Sequence, residues 1–293
     1  MEKEHYYHMF ANGDDARNFI TDESEFKAAF NRFALCQHLT GISVLSFSVE
    51  DTHPHALLYG SYDRCRDFAS MYEDLSIRSV VQKRGSSEGM NLFCEILQID
   101  DEQYLKNVGT YTITQATKDG KSVMPYDYLY GTGALYFRRH NVILPWLIDD
   151  DGHQMEPVRM GNLPVREQRI LSGSRRCLPP DYLVCNGVVL PTNYVDVRRF
   201  ENIYKTHNCF RAFMASSIVF PIVNFLRLPG FRNRNFGNTL SEHGRSSLPA
   251  AFKKVCFVRI CPDFGRNLLE SVWIRPRLQV HSSGICCILS LNT

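Results

Sequence analysis

Two histidines one residue apart, His53 and His55, are the first residues whose spacing suggests chemistry; they lie in Ser46-Phe-Ser-Val-Glu-Asp-Thr-His-Pro-His-Ala-Leu-Leu-Tyr59. On a β-strand residues i and i+2 project from one face, so both imidazoles point one way and Ala56 and Leu58 the other, toward a core. Two neutral imidazoles on one rigid strand make up two-thirds of a divalent-metal site. Downstream, Tyr111 and Gln115 stand four apart in Tyr104-Leu-Lys-Asn-Val-Gly-Thr-Tyr-Thr-Ile-Thr-Gln115, which at helical spacing is one face, one turn from each other. His53, His55 and the Gln115 amide oxygen would hold Mg²⁺ or Mn²⁺ and leave water positions for a phosphate. Tyr111 would be the nucleophile, forming a covalent tyrosyl-phosphate. Such a linkage conserves bond energy, so a later 3′-hydroxyl can reverse it and join strands without ATP. A third group, Arg64, Arg66, Arg78, Lys83 and Arg84, supplies positive charge for a nucleic-acid backbone, because single-strand binding needs a basic groove with aromatic platforms. Each feature also has an ordinary reading: a surface His pair, a core tyrosine, a solvated helix face.

The elements that must position these residues follow from pattern. Tyr6-Tyr-His-Met-Phe-Ala11 is an aromatic-rich strand ending at Asn12-Gly-Asp-Asp15. Asp22-Glu-Ser-Glu25 has the form of a capping box and opens a helix to about Leu39, with Phe26, Phe30 and Phe33 on one face and Gly41 as its stop. Val44–Val49 and His53–Tyr59 form a hairpin around Glu50-Asp51-Thr52. A helix from Asp63 buries Phe68, Met71, Tyr72 and Leu75, carries the basic residues and ends before Gly85-Ser-Ser-Glu-Gly89. A strand over Leu92–Leu97 leads to Asp100-Asp-Glu-Gln103, a second cap-and-box start, and to the Tyr111 helix, closing near Asp119-Gly120. Gly109 in mid-helix costs about 1 kcal/mol relative to Ala and marks a kink or a close backbone approach to a ligand. The order β-α-β-β-α-β-α predicts an α+β fold, a ferredoxin-like sandwich whose antiparallel sheet has helices on one face.

Composition is that of an ordinary globular protein, with 44% apolar and 22% charged residues in 293. The charged N-terminus lacks an apolar signal region and no apolar run is long enough to cross a bilayer, which predicts a cytoplasmic protein with no membrane partner. Ten cysteines without a Cys-x-x-Cys pair read as packing residues of a reduced protein. Residues 1–142 form the expected catalytic domain. Residues 143–215 read as a small accessory mixed α/β segment: a short helix near Val165–Leu171, a tight hairpin over Tyr182–Leu190 with Asn186-Gly187 at its turn, and a helix over Tyr194–Phe213. Residues 216–293 hold ten Lys/Arg against three Asp/Glu, whereas residues 1–215 hold 23 against 28. That region reads as a basic, irregular and poorly ordered tail, either a nucleic-acid-binding arm or a frame-altered read-through.

A first strand with Tyr6-Tyr-His-Met9, an acid-capped helix, a hairpin carrying His53-Pro-His55, and Tyr111-Thr-Ile-Thr-Gln115 on a later helix together resemble the HUH single-strand DNA transposases of the single-tyrosine type, the insertion-sequence 200/605-like enzymes and REP-associated tyrosine transposases. The resemblance spans about residues 5–140. It implies a bacterial, nucleoid-associated enzyme of a mobile element that cleaves and joins single-stranded DNA with a divalent metal. Expected partners are single-stranded or hairpin DNA and a second copy of the chain, as a homodimer. Two positions depart from the family pattern: Pro54 replaces a bulky aliphatic residue, and Thr52 an asparagine. Proline has no N–H for a ladder, which predicts that His53–His55 lies at a sheet edge or a ladder gap. The rival reading is a non-catalytic DNA-binding protein of the same fold, and a weaker one an RNA-binding module.

Overall fold

The computed structural model describes residues 3–11, 19–88, 92–138, 142–219, 277–281 and 284–288. The Asn12–Asp15 turn, Gly89 and most of the basic tail lie outside the described residues. Contacts divide the chain into two compact units, Met1–Leu228 and Pro229–Thr293.

In the first unit β1 (His5–Ala11), α1 (Glu23–Thr40), β2 (Ser43–Val49), β3 (Pro54–Gly60), α2 (Tyr62–Arg84), β4 (Cys94–Ile99) and α3 (Glu102–Lys118) follow one another. The sheet order is β2-β3-β1-β4 with every neighbouring pair antiparallel, the ferredoxin-like α+β arrangement expected from the element order. Helix α1 starts where the Asp22 carboxylate accepts from the Glu25 amide at 3.0 Å and stops at Gly41, which takes the left-handed φ of 63° that glycine adopts without steric cost. The Glu25 carboxylate reaches one residue past the cap and accepts from the Thr21 amide at 2.7 Å.

Alternation along the strands separates two faces. Tyr7, Met9, Ala56 and Phe47 meet α1 and α2, where Phe33 stacks on Phe47 at 4.0 Å between ring centroids and also touches Phe68 and Tyr72. Tyr6, His8, His55 and Tyr59 face the other way. That face is covered as well, where the sequence predicts helices on one face only: α3 crosses it, with Ser46 Oγ and Thr112 Oγ1 sharing a buried hydrogen bond of 2.6 Å. The histidines therefore sit in a layer between sheet and α3 rather than on an open surface.

Strand β3 is internal to the sheet, so of the two alternatives expected from Pro54, a sheet edge or a ladder gap, it is the gap that occurs. Pro54 is the first residue of β3, opposite Val49, and the ladder with β1 begins only at His55; the missing N–H leaves no ladder bond unmade. The outer edge of β2 is covered by later chain. The Val49 amide donates to Tyr130 O at 2.8 Å, the Thr132 amide to Phe47 O at 3.0 Å, and the Asp196 amide to Val44 O at 2.9 Å, an edge protected against stray pairing.

The accessory region contains β5 (Val158–Arg159), α4 (Val165–Ser172), β6 (Leu183–Cys185), β7 (Val188–Val189), α5 (Val197–Tyr204) and α6 (His207–Val219). The hairpin turns at Asn186 and Gly187, both with positive φ, as their types require. It docks on α1 through Asn31, whose side chain accepts from the Val189 amide at 2.8 Å and donates to Gly187 O at 2.9 Å. The single helix expected over Tyr194–Phe213 is two. It breaks at Lys205, with φ 63°, and α6 restarts behind Thr206, whose hydroxyl accepts from the Cys209 amide at 3.2 Å; the break lets Phe210 fold back onto Tyr204, 5.1 Å between ring centroids. The expectation for Gly109 is also corrected. A Cβ there would lie 2.5 Å from Tyr204 Oη and 3.2 Å from Phe200, so the glycine admits α5 against α3 rather than a ligand. In the second unit β8 (Arg277–His281) and β9 (Gly284–Ile288) pair antiparallel.

Candidate active site

His53, His55 and Tyr111 are brought together. The hairpin closes with the Glu50 amide donating to His53 O at 2.9 Å, which presents His53 just before β3 and His55 just inside it. Their Nε2 atoms lie 2.9 Å apart, while His53 Nδ1 and Thr52 Oγ1 are 2.6 Å apart. A nitrogen pair this close shares one proton, with one ring donating and the other accepting. Tyr111 meets His55 at a right angle, with 5.1 Å between ring centroids. The helix that supplies it begins where the Asp101 carboxylate accepts from the Tyr104 amide at 2.6 Å, so the cap is Asp101 and the box expected from Asp100 and Gln103 does not form.

Gln115 lies one turn on. Its amide N–H donates to the Asp119 carboxylate at 3.2 and 3.4 Å, and its Oε1 is buried with no hydrogen-bond partner. The imidazole pair is a borderline nitrogen donor set, suited to a divalent first-row ion such as Mn²⁺. Two ligand atoms 2.9 Å apart match the edge of an octahedron with bonds of about 2.1 Å, and the Gln115 oxygen, one turn from Tyr111, keeps its lone pairs unpartnered. His55 Nδ1 is likewise buried without a partner, so the support that usually orients a ligating imidazole from behind is lacking on that ring.

Several groups at the site escaped the sequence reading. His8 of β1 stacks on His55 at 5.7 Å and meets Tyr111 at 6.1 Å. It is buried, Nε2 has no hydrogen-bond partner, and burial lowers its pKa to about 3. Burial foremost, then the charges His53, His8 and Lys118 would carry, holds His55 well below the ordinary histidine value; both rings are neutral at pH 7. Lys118 places its ammonium 4.2 Å from the centroid of the Tyr111 ring, and burial lowers its pKa to about 8. Tyr111, Gln115 and Lys118 form a stripe of period three to four on α3, so the lysine was legible in the spacing. Glu50 is 1% exposed and pairs with Lys121 at 2.8 Å, which also reaches Asp51 at 2.5 Å. Burial raises the Glu50 pKa against the pull of Lys121. Tyr111 itself is pushed above the usual phenol range, by burial first and then by Asp119 and Glu50.

The basic residues of α2 lie in the α1–α2 layer, on the sheet face opposite the histidines. Arg64 Nε donates to Thr40 O at 2.8 Å at the end of α1. Arg66 donates to Cys94 O at 3.1 Å and lies 5.3 Å from the Phe93 ring centroid. Arg78 pairs with Asp74 at 3.3 Å on the exposed outer face. Lys83 pairs with Asp22 and Arg84 with Glu25, tying the end of α2 to the start of α1. Among the described residues one group of three His, Cys, Asp or Glu side chains has metal-ligand spacing, Asp149, Asp151 and His153, on an exposed turn. Asp149 already accepts from the Asp151 and His153 amides at 3.0 and 2.7 Å. No helix among them is long and apolar enough to cross a membrane.

No protein-family model and no curated protein matches the chain. Among solved structures, a REP-associated tyrosine transposase bound to a REP hairpin is similar at a TM-score of 0.32 and 10% identity, over 52% of this chain and 92% of that one.

Proposed function

We propose that the protein cleaves and rejoins single-stranded DNA, as a transposase-like enzyme, through a covalent bond to Tyr111. The observation that carries this reading is that His55, whose Nε2 lies 2.9 Å from His53 Nε2, packs at a right angle to the Tyr111 ring with 5.1 Å between centroids. His53, His55 and Gln115 would hold Mg²⁺ or Mn²⁺, which when bound supplies Lewis-acid charge to phosphate oxygens. Tyr111 Oη bonds the phosphorus and the P–O3′ bond breaks, leaving a free 3′-hydroxyl; joining is the reverse. The raised Tyr111 pKa keeps the phenol neutral until its proton departs. Lys118, above the ring, stabilises the negative charge that develops as it does. The α2 residues Arg64, Arg66, Arg78, Lys83 and Arg84 are proposed as backbone contacts, and Arg78 is the first to test.

Labelled single-stranded and hairpin DNA, incubated with the protein and Mn²⁺ and run on a denaturing gel, should give a shifted adduct. Tyr111→Phe removes one oxygen while keeping the ring, so the adduct should vanish with DNA binding intact. His53→Ala should abolish it with the fold unchanged, and Gln115→Ala should weaken it, since water can replace one amide ligand. An adduct that persists in Tyr111→Phe would sink the assignment. The second reading, a non-catalytic DNA-binding protein of the same fold, is favoured by the Gln115 amide held on Asp119 and by the unsupported His55 Nδ1. It wins if wild type forms no adduct on any substrate.

A further inference from the structure

A cavity of about 580 Å³ opens between α5, the start of α3 and the sheet, its polar lining including Tyr6, Arg198, Arg199, Lys205 and the carboxylates of Glu102 and Asp196; Glu102 is held by Lys106 at 2.6 Å and Asp196 by Arg199 at 3.2 Å. The cavity belongs to the same sheet face as the histidines: Tyr6 precedes His8 by two residues on β1, and Tyr59, opposite Tyr6 in register, follows His55 by four on β3. At about 3.4 Å per strand residue, Tyr59 is ~14 Å from His55 along β3.

Its walls divide the work of holding a nucleotide. Tyr6 lines the cavity and packs against Tyr59, which lies outside the lining, at 4.9 Å between ring centroids. The Arg199 guanidinium lies 3.9 Å from the Tyr59 centroid and is oriented by Asp196 at 3.2 Å, so it braces the aromatic pair. Arg198 and Lys205 are exposed at the rim, and neither forms an ion pair within 4 Å among the described residues. Lys205 occupies the left-handed backbone region, φ 63°, uncommon for a residue with a side chain. Exposed cations beside aromatic faces are the combination that takes a phosphate with a planar ring next to it.

We infer that this cavity binds one nucleotide of a single DNA strand, with Arg198 and Lys205 on the phosphates and Tyr6 as the surface for the base. The inference rests on the DNA-binding part of the function proposed above, and not on its catalytic part. The test is fluorescence anisotropy of labelled (dT)₁₅ with the full chain across a range of NaCl concentrations. Arg198→Glu combined with Lys205→Glu should weaken binding at least about tenfold, and should reduce the slope of log K against log salt by about 1.4 if two phosphate contacts are lost. As both side chains are exposed, thermal unfolding should be unmoved. In a second measurement, photocrosslinking of bromodeoxyuridine-substituted strand should place the adduct on the peptide containing Tyr6. Unchanged affinity and slope in the double variant, no binding by wild type, or tighter binding of (rU)₁₅ at the same residues would each overturn the assignment. Intact binding without a Tyr111 adduct would instead sink only the catalytic reading.

Discussion

At the scale of single residues, burial is what distinguishes this site. His8 is neutral in the folded chain with its pKa lowered to about 3, against 6.5 when unfolded. The unfolded chain therefore binds more protons in this window. The contribution of His8 is complete above pH 6.5 and is lost as pH falls toward 3, by up to about 1.4 kcal/mol per pH unit. His8→Phe should leave stability at pH 7.5 within about 1 kcal/mol, because it also removes an unsatisfied buried nitrogen. At pH 4.5 it should be more stable than wild type. Urea unfolding at the two pH values checks both signs. Lys118 makes the complementary case. Lys118→Met keeps the packing stem and deletes the cation above Tyr111, so adduct formation should fall by about 100- to 1,000-fold, the scale of one group stabilising a developing anion. DNA affinity should change far less; equal losses in both would make Lys118 a binding residue only.

At the scale of elements, α3 holds the site and is itself held by α5 and α6. The Tyr204 hydroxyl donates to Lys106 O at 2.7 Å, and the Thr110 and Ser217 hydroxyls lie 2.9 Å apart. Gly109 is the point of closest approach. Helix propensity alone makes Gly109→Ala stabilising by about 1 kcal/mol. With the new Cβ 2.5 Å from Tyr204 Oη, overpacking wins instead and the substitution should cost ~1–3 kcal/mol. Thermal unfolding decides by its sign, and Gly109→Ala with Tyr204→Phe should recover part of the loss because the obstructing oxygen is gone.

At the scale of the molecule, the first unit extends to Leu228, and the accessory region shares its core: Val189, Tyr194, Phe200 and Tyr204 are buried with Phe33 and Phe47. A chain ending at Leu228 should unfold within about 3 °C of the full chain, a difference below ~1 kcal/mol for a domain of this size. A cut at Ala215 would also remove Ser217 and the end of α6, and should cost more. Calorimetry on the two truncations separates these cases.

Much of this was legible in the chain. Period-two and period-three-to-four patterns, an acid cap at Asp22, a glycine stop at Gly41 and Asn186-Gly187 are local signals, written within a few residues, and each produces its element where expected. Ferredoxin-like order follows from element order, because short connections and right-handed crossovers leave few alternatives. The spacings of His53 with His55 and of Tyr111 with Gln115 are local in the same way, each written within a few residues. What neighbours a face, and so what is buried, is a property of distant pairings. Only the folded chain places His8 against His55 from another strand, α3 over the histidine face, Tyr204 against Gly109, and the cations of α2 on the far side of the sheet. Burial then sets the chemistry, since removing water from His8, Tyr111 and Lys118 shifts their charge states, and no spacing of residues records how much water remains.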